Sequence, residues 1–474
     1  MPRMRLVAPA LALLAASAVA LVLHAQTMGP SPARTMRVDY FHTGNATSEL
    51  FAVDRVSIEP APWPGPIDRP DDTLRYGAYG FDVRDAASGR LLHSRGFGSV
   101  YDEWTTTGEG TTRTFHESLR FPRPEAPVDV SVRKRGPKDA WSTVWTTRVD
   151  PAASTVDTAP PEPAPGEVIA LERHGDPAHK VDLLLLGDGY TAAERGKFTA
   201  DARRLVDILF ATSPFRERRT DFNVWGLVPP ARESGIARPS TGVHRASPVG
   251  ATYDAFGSER YVLTFENRRF RDIASYAPYD VVEIVVNGRT YGGGGIYNQY
   301  STVAADNAFA PYVFVHEFAH HFAALADEYY TSPVAYLPAA TREEPWEPNV
   351  TALLDPATLK WKDLVGPTTP LPTPWQKDAY ETRSRETQAM RAELRKQNRP
   401  EAEMEALFAR ERRQDDAQFA AEAHAGRIGA FEGAKYEARG YYRPAANCIM
   451  FTRAEDFCDV CRRAIGQVID TYVR

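Results

Sequence analysis

The sequence predicts an α+β protein built from an N-terminal antiparallel β-sandwich, a proline-rich linker and a larger α/β domain. Short strand-like runs separated by turns fill residues 34–150, and a stretch rich in Pro, Ala and Thr covers residues 151–166. From residue 167 to residue 474, buried-type strands alternate with helical patterns. At 474 residues the chain is also too long for one ordinary domain.

The first 25 residues are expected to form an export signal. Arg3 and Arg5 precede a long apolar run, and the small residue Ala25 precedes Gln26. Leu23 stands where a small residue is preferred before a cleavage site. An uncleaved membrane anchor is therefore the alternative, because the apolar run nearly reaches membrane-spanning length. We expect the rest of the chain to be secreted, periplasmic or at the cell surface, with membrane contact only if this segment is retained.

The charge balance argues against nucleic acid as a partner. Lys plus Arg number 56 and Asp plus Glu number 62, which gives a net charge of −6. A nucleic-acid-binding protein needs a basic surface for phosphates. The 43% hydrophobic and 11% aromatic content is sufficient for substantial cores.

The N-terminal region reads as a series of short antiparallel strands. Residues 75–84 and 91–97 flank residues 85–90, a stretch typical of a hairpin turn. Residues 128–132 alternate apolar and polar side chains, as a half-buried strand does. Several such runs predict a small sandwich.

The second region opens with a buried strand followed by a helix. Residues 181–187 are an apolar run that ends in glycine, and Thr191 with Glu194 can form a capping box at the start of the next helix. Residues 222–228 and 280–286 are predicted to be further strands.

Two later segments differ in character. Residues 291–300 contain four consecutive glycines and suggest either an edge strand that pairs with an extended substrate or a flexible connector. Residues 378–424 are rich in Glu, Arg, Ala and Gln, so we expect a solvated helix or helical hairpin broken at Pro400. No chemistry is assigned to this charged insert.

The three cysteines all lie near the C-terminus. An odd count in an exported protein predicts one disulfide and one free thiol among Cys448, Cys458 and Cys461. Cys458 and Cys461 also have the spacing of half a zinc ribbon, but the sequence contains no second pair. A local disulfide is the preferred interpretation.

The strongest chemical motif is His316-Glu317-Phe318-Ala319-His320. Two histidines four residues apart lie one turn apart on the same helix face, so both imidazoles can reach one metal ion. Glu317 can then take a proton from a catalytic water. The alternative is a core helix whose histidines bond only to the backbone.

A catalytic zinc site needs at least one more protein ligand. A carboxylate just after the helix is one possibility, and we prefer Asp327 to Glu328. A glutamate on a second helix is the other possibility, with Glu343, Glu344 and Glu347 as candidates. The prolines within that stretch make it a poor helix.

The active-site helix, residues 316–330, closely resembles that of the bacterial IgA metallopeptidase family, a metzincin-like group of secreted zinc peptidases. Further blocks at residues 186–191, 222–225, 291–295, 429–433, 442–450 and 457–461 are similar to other parts of the same family. Residues 35–151 resemble its N-terminal β domain. The likeness covers most of the chain outside the signal and the charged insert.

This resemblance implies a metzincin-like peptidase domain that binds one catalytic Zn²⁺ through His316, His320 and Asp327, with Glu317 as the general base. Met450 would be the methionine of a turn beneath the metal, with a packing role. Ala323 and Ala326 occupy the positions where the common metzincin pattern has a glycine and its third ligand, and Asp327 follows one residue later.

The implied function is that of a secreted zinc endopeptidase acting on protein or peptide substrates. The contrasting hypothesis is a non-catalytic surface module that binds protein or glycan and has a structural metal site. Structural zinc sites are usually closed by four protein ligands. A thermolysin-like peptidase that uses Glu343 or Glu344 is the third possibility.

Overall fold

The computed structural model describes residues 33–334, 336–337 and 341–473. The predicted signal, residues 1–25, lies outside the described residues. Within the described part of the chain, no helix has the length and apolarity needed to cross a membrane.

The N-terminal region consists of seven strands in two antiparallel sheets, with a short helix α1 (Val100–Thr105). The strands are β1 (Arg34–Asn45), β2 (Ser48–Pro62), β3 (Tyr79–Asp85), β4 (Leu91–Phe97), β5 (Arg113–Pro122), β6 (Val128–Arg135) and β7 (Trp141–Val149). One sheet has the order β2-β1-β5 and the other β4-β3-β6-β7.

The two N-terminal sheets share one apolar core. Their strands direct alternate side chains into it, as the sequence pattern predicts. Val38 and Phe121 come from one sheet, and Phe81, Val130 and Val132 come from the other. The predicted antiparallel β region is therefore confirmed.

Residues 151–166 contain no named helix or strand, in agreement with their composition. Backbone hydrogen bonds nevertheless attach this segment to β2. The Ile58 N–H donates to the Asp157 carbonyl at 2.8 Å, and the Asp157 N–H donates to Val56 at 2.9 Å. The segment thus lies along β2.

The second region is built on a mixed six-stranded sheet. Its order is β14-β15-β13-β9-β10-β8, in which β15, β13, β9 and β10 are parallel and the two outer strands are antiparallel to their neighbours. The sheet strands and the shorter pairs outside it are β8 (Ile169–Glu172), β9 (Val181–Asp188), β10 (Phe222–Leu227), β11 (Ala251–Thr252), β12 (Leu263–Thr264), β13 (Val281–Val286), β14 (Gly293–Ile296), β15 (Tyr300–Ala304), β16 (Phe431–Ala434) and β17 (Glu437–Arg443).

Six further helices complete the mixed α+β architecture of the described residues, and this class is as predicted. They are α2 (Arg195–Leu209), α3 (Asn267–Ala274), α4 (Ala310–Ala323), α5 (Lys377–Lys396), α6 (Glu401–Ala420) and α7 (Asp459–Tyr472). The predicted capping box of Thr191 and Glu194 is present in the 3₁₀ turn that leads into α2.

The charged insert forms a helical hairpin that turns at Pro400, as predicted. One face of α6 is nevertheless buried, because Met404, Leu407 and Phe408 belong to the main core. The Arg453 guanidinium lies 3.6 Å from the centre of the Phe408 ring. The insert is thus docked on the body rather than surrounded by water.

The two regions are in direct contact. Trp104 and Phe115 share an apolar cluster with Leu184 of the six-stranded sheet. Arg120 donates to the Tyr279 carbonyl at 2.9 Å, which ties β5 to the segment before β13. The described residues from 33 onwards accordingly form one compact unit, and their division into two folding domains stays a prediction.

Candidate active site

Helix α4 forms the centre of the site. Pro311 is in its first turn, where the missing N–H costs nothing, and the helix interior is almost entirely buried. It ends at Ala324, whose φ of 57° is left-handed. The carbonyls of Ala319 and His320 accept the Ala324 N–H, so the last turn is closed.

The glycine strand β14 allows α4 to approach it closely. A Cβ at Gly295 would lie 2.3 Å from the Glu317 carbonyl oxygen, and one at Gly293 would lie 2.5 Å from Val313 Cγ1. Any side chain at these positions would push the helix away. The glycines therefore form a defined strand that seats the helix, and the flexible-connector interpretation is wrong.

Three donor atoms converge beside α4. His316 Nε2 lies 3.1 Å from His320 Nε2. Asp327 Oδ1 lies 3.0 Å from the first of these nitrogens and 3.3 Å from the second. The structure thus brings together His316, His320 and Asp327, while Glu317 stands beside the two histidines in the same cluster.

Backbone carbonyls hold both imidazoles by their other nitrogens. His316 Nδ1 contacts the Ile449 carbonyl at 2.9 Å, and His320 Nδ1 contacts the Leu325 carbonyl. A carbonyl only accepts, so each Nδ1 carries the hydrogen and a neutral ring turns the lone pair of Nε2 inward. Two lone pairs and a carboxylate that face each other require a positive charge between them.

A proton or a cation can supply that charge. Burial lowers the pKa of His320, but the Asp327 carboxylate outweighs this effect and raises the pKa to about 9. Burial opposes ionisation of Asp327, yet His320 and His316 hold the pKa of its carboxyl well below the ordinary value.

The donor set matches zinc in chemistry and spacing. Imidazole nitrogen and carboxylate oxygen are ordinary zinc ligands with bonds of about 2.0–2.2 Å, so two ligands of a tetrahedral ion lie about 3.3–3.5 Å apart. The three separations of 3.0, 3.1 and 3.3 Å come close to these edges. Little movement is needed for the three atoms to hold one ion.

Glu317 points into the cleft beside this cluster. Burial raises the pKa of its carboxyl, while His316 and His320 oppose the rise. A carboxyl in this setting binds a proton more readily than one in water. A raised pKa makes such a carboxyl a stronger base than an exposed one, which suits a group that accepts and then releases a proton.

The competing carboxylates are directed elsewhere. Glu328 Oε1 accepts from Asn349 Nδ2 at 3.0 Å. Glu344 pairs with Lys360 at 3.1 Å, Glu347 pairs with Lys435 at 2.6 Å, and Glu343 is exposed. None of these contacts involves the histidine pair.

Sequence reasoning missed Tyr436. Its hydroxyl donates to Asp327 Oδ2 at 2.5 Å, so it orients the carboxylate from the side opposite the histidines. Tyr436 lies in the turn of the β16–β17 hairpin with a φ of 66°. No local pattern connects it to a residue 109 positions earlier.

The segment after β17 supports the site from below. Met450 is fully buried, and its carbonyl accepts the Glu328 N–H at 2.8 Å. The preceding carbonyl, that of Ile449, holds His316. This one turn therefore contacts both the active-site helix and the chain that carries Asp327.

A cleft of about 680 Å³ leads to the site. The second region contributes Glu317, His320 and Arg260, and helix α1 of the N-terminal region contributes Asp102 and Glu103. Glu103 accepts a hydrogen bond from the Tyr261 hydroxyl at 3.2 Å. The cleft is thus walled by both regions.

The expected disulfide is not present. All three cysteines are free and buried, and the sulfurs of Cys448 and Cys461 are separated by 3.8 Å. This distance is far longer than the S–S bond of about 2.05 Å.

Comparison with protein families agrees with the resemblance of the motifs. The family described as IgA Peptidase M64 matches residues 169–469, and the family described as Peptidase M64 N-terminus matches residues 30–146. No curated protein matches the chain. The first match alone covers more than half of the sequence and includes the histidine helix, Asp327 and the cleft walls on that side. The chain therefore belongs to the IgA peptidase M64 family, a family of peptidases that hydrolyse peptide bonds in protein or peptide substrates.

Proposed function

We propose that this chain is a secreted zinc-dependent endopeptidase with a metzincin-like catalytic domain. His316, His320 and Asp327 would hold one catalytic zinc ion. The observation that carries the proposal is the convergence of Nε2, Nε2 and Oδ1 within 3.0–3.3 Å while both Nδ1 atoms are engaged by carbonyls.

Zinc bound there would supply Lewis-acid polarisation of the substrate carbonyl and would make water more acidic. Glu317 accepts a proton from the attacking water and passes it to the leaving amine. Its buried position and raised pKa support both transfers. Tyr436 holds the Asp327 carboxylate, and Ile449 and Leu325 hold the two imidazoles in the tautomer that binds metal.

An extended substrate would pair with the outer edge of β14. Gly293 already exchanges backbone hydrogen bonds with Arg260 and Val262, so this end of the edge is closed. Gly295, which by strand alternation faces the same way, lines the cleft beside Glu317. A peptide that pairs at Gly295 would pass directly over the site.

Substitution of Glu317 by Gln tests the mechanism. The amide keeps the shape of the side chain but cannot take a proton, so we expect zinc content to be retained and turnover to fall by at least about 100-fold. The measurements are zinc per chain by mass spectrometry and cleavage of a denatured protein. Cleavage at the wild-type rate would exclude Glu317 as the base.

Zinc retention after substitution of Asp327 tests the third ligand. Loss of a ligand should weaken zinc binding more than the about 10–100-fold typical of outer-sphere changes. Glu343→Ala is the matched control for the thermolysin-like alternative and should keep its zinc. Zinc loss from Glu343→Ala but not from the Asp327 variant would make Glu343 the third ligand in place of Asp327. Bound zinc without any proteolysis in the wild type would favour the non-catalytic binding module.

A further inference from the structure

A second group of metal-ligand side chains lies behind the first. The three cysteine sulfurs and a Glu328 carboxylate oxygen all lie within 4.8 Å of one another. The side chain of Glu328 and those of Cys448 and Cys461 are at most 1% exposed, and Cys458 is 9% exposed. Cys458 and Cys461 stand at the start of α7, and Cys448 belongs to the turn that carries Met450.

The two measured separations match tetrahedral zinc. Zn–S bonds of about 2.3 Å place two sulfurs about 3.8 Å apart, and a sulfur and an oxygen ligand about 3.5 Å apart. Cys448 Sγ and Cys461 Sγ are 3.8 Å apart, and Cys461 Sγ lies 3.5 Å from Glu328 Oε1. A sulfur pair in van der Waals contact is the alternative explanation of the first distance alone.

The carboxylate supplies an independent argument for a ligand. Glu328 is completely buried, and its Oε2 atom has no hydrogen-bond partner among the described residues. A buried carboxylate oxygen without a partner is costly. Thiols are weak donors and cannot offset that cost, whereas a divalent cation can.

Positive partial charges face the sulfurs and the carboxylate. The Cys458 N–H donates to Cys448 Sγ at 3.3 Å. The N-terminus of α7 directs its positive end towards Cys458 and Cys461. Arg443, buried nearby, interacts electrostatically with Glu328 and offsets part of the negative charge.

We propose that Cys448, Cys458, Cys461 and Glu328 bind a structural zinc ion. All four ligands come from the protein, and such closed sites stabilise a fold rather than catalyse. Binding would release the thiol protons to solvent. The odd number of cysteines then needs no leftover thiol, because all three serve one ion.

This second site would brace the active site. Glu328 directly follows Asp327, and Cys448 directly precedes Ile449, whose carbonyl holds His316. Asp327 Oδ1 lies 3.0 Å from His316 Nε2, and Glu328 Oε1 lies 3.5 Å from Cys461 Sγ, so adjacent residues of one segment face the two sites. The structural ion would therefore hold in place the two segments that carry Asp327 and Ile449.

The test uses the full-length protein purified under reducing conditions. We expect two zinc ions per chain and, in zinc X-ray absorption, sulfur neighbours at about 2.3 Å. The double variant His316→Ala/His320→Ala should keep one zinc, with an all-sulfur-and-oxygen shell. Because the double variant lacks two ligands of the proposed catalytic site, a retained sulfur shell supports the structural site even if the catalytic proposal fails.

Cobalt provides a readout that leaves the cysteines intact. The cobalt-substituted double variant should show intense thiolate-to-cobalt charge-transfer absorption. The nitrogen and oxygen ligands of the proposed catalytic site cannot produce this absorption. Cys461→Ser added to the double variant should weaken this band, because one of the three thiolate ligands is lost, and an unchanged band would contradict the ligand set. One zinc per chain without sulfur neighbours, or a disulfide found by thiol titration after denaturation of the fresh protein, would overturn the proposal.

Discussion

At the scale of single residues, neighbouring histidines of α4 have opposite environments. His316 and His320 turn Nε2 towards each other, whereas both nitrogens of His321 are occupied, by the Val282 N–H and by the Ile296 carbonyl. Burial lowers the pKa of His321 to about 3, so it remains neutral. The spacing of four residues places His316 and His320 on one helix face, whereas His321 faces the sheet and ties α4 to it.

Tyr436→Phe tests how far the second-layer hydrogen bond matters. Removal of the hydroxyl leaves Asp327 Oδ2 without its donor, and we expect zinc affinity to fall about 10–100-fold. Competition with a chromophoric chelator measures the change. Tyr336→Phe is the control, because that hydroxyl lies in the same cleft but donates to Glu103. Equal affinities for the two variants would show that Tyr436 does not support the ligand.

At the scale of elements, the C-terminal end of α4 is where this chain departs from the common metzincin pattern. Ala324 adopts φ of 57° at the C-terminus of the helix, a conformation that favours glycine. The turn is needed because Leu325 must present its carbonyl to His320 and lead the chain to Asp327. The left-handed backbone of Ala324 is therefore a strained conformation that places the Leu325 carbonyl beside His320.

Ala324→Gly should relieve this strain. We expect the free energy of unfolding to rise by up to about 1 kcal/mol, since relief of the left-handed strain exceeds the entropy that glycine adds to the unfolded chain. Urea unfolding followed by fluorescence measures it. Ala323→Gly, one residue earlier and within the helix, should instead destabilise by about 1 kcal/mol. The same sign for both variants would contradict the argument.

At the scale of the whole molecule, residues of both regions form the walls of the cleft. Glu103 from α1 meets Tyr261 and Tyr336 of the second region. Burial raises the pKa of Glu103 to about 7. The contact between regions is thus coupled to the protonation of one carboxyl.

The sign of this coupling follows from the raised pKa. The folded protein binds the Glu103 proton more tightly than the unfolded chain, so the stabilising contribution is full below about pH 4.5 and is lost as the pH rises through about 7. The stability of the wild type relative to Glu103→Gln should therefore fall between pH 4.5 and 8. Urea unfolding at several pH values measures the difference.

Glu125→Gln is the matched control, because the side chain of Glu125 is exposed. The difference between this variant and the wild type should stay constant across the same pH range. A constant difference for Glu103→Gln as well would show that Glu103 ionises in the folded protein as it does in water.

Local patterns sufficed for much of the molecule. The strands of the N-terminal region, the capping box before α2, the break at Pro400 and the two-histidine face of α4 all depend on neighbours within a few residues. The sequence by itself therefore determined the α+β class, the peptidase family and the histidine pair. The class and the histidine pair follow from periodicity and backbone propensity, which are short-range, whereas the family follows from the resemblance of its motifs.

Only the tertiary structure decided the rest. The opposite directions of Asp327 and Glu328, the arrival of Tyr436 from a distant hairpin, and the gathering of Cys448 with two cysteines of α7 depend on contacts between separate segments. The same contacts explain why the three cysteines form a cluster with Glu328 instead of the predicted disulfide. Spacing along the chain does not encode which side chains meet once helices and sheets pack, since that is set by the global arrangement of the core.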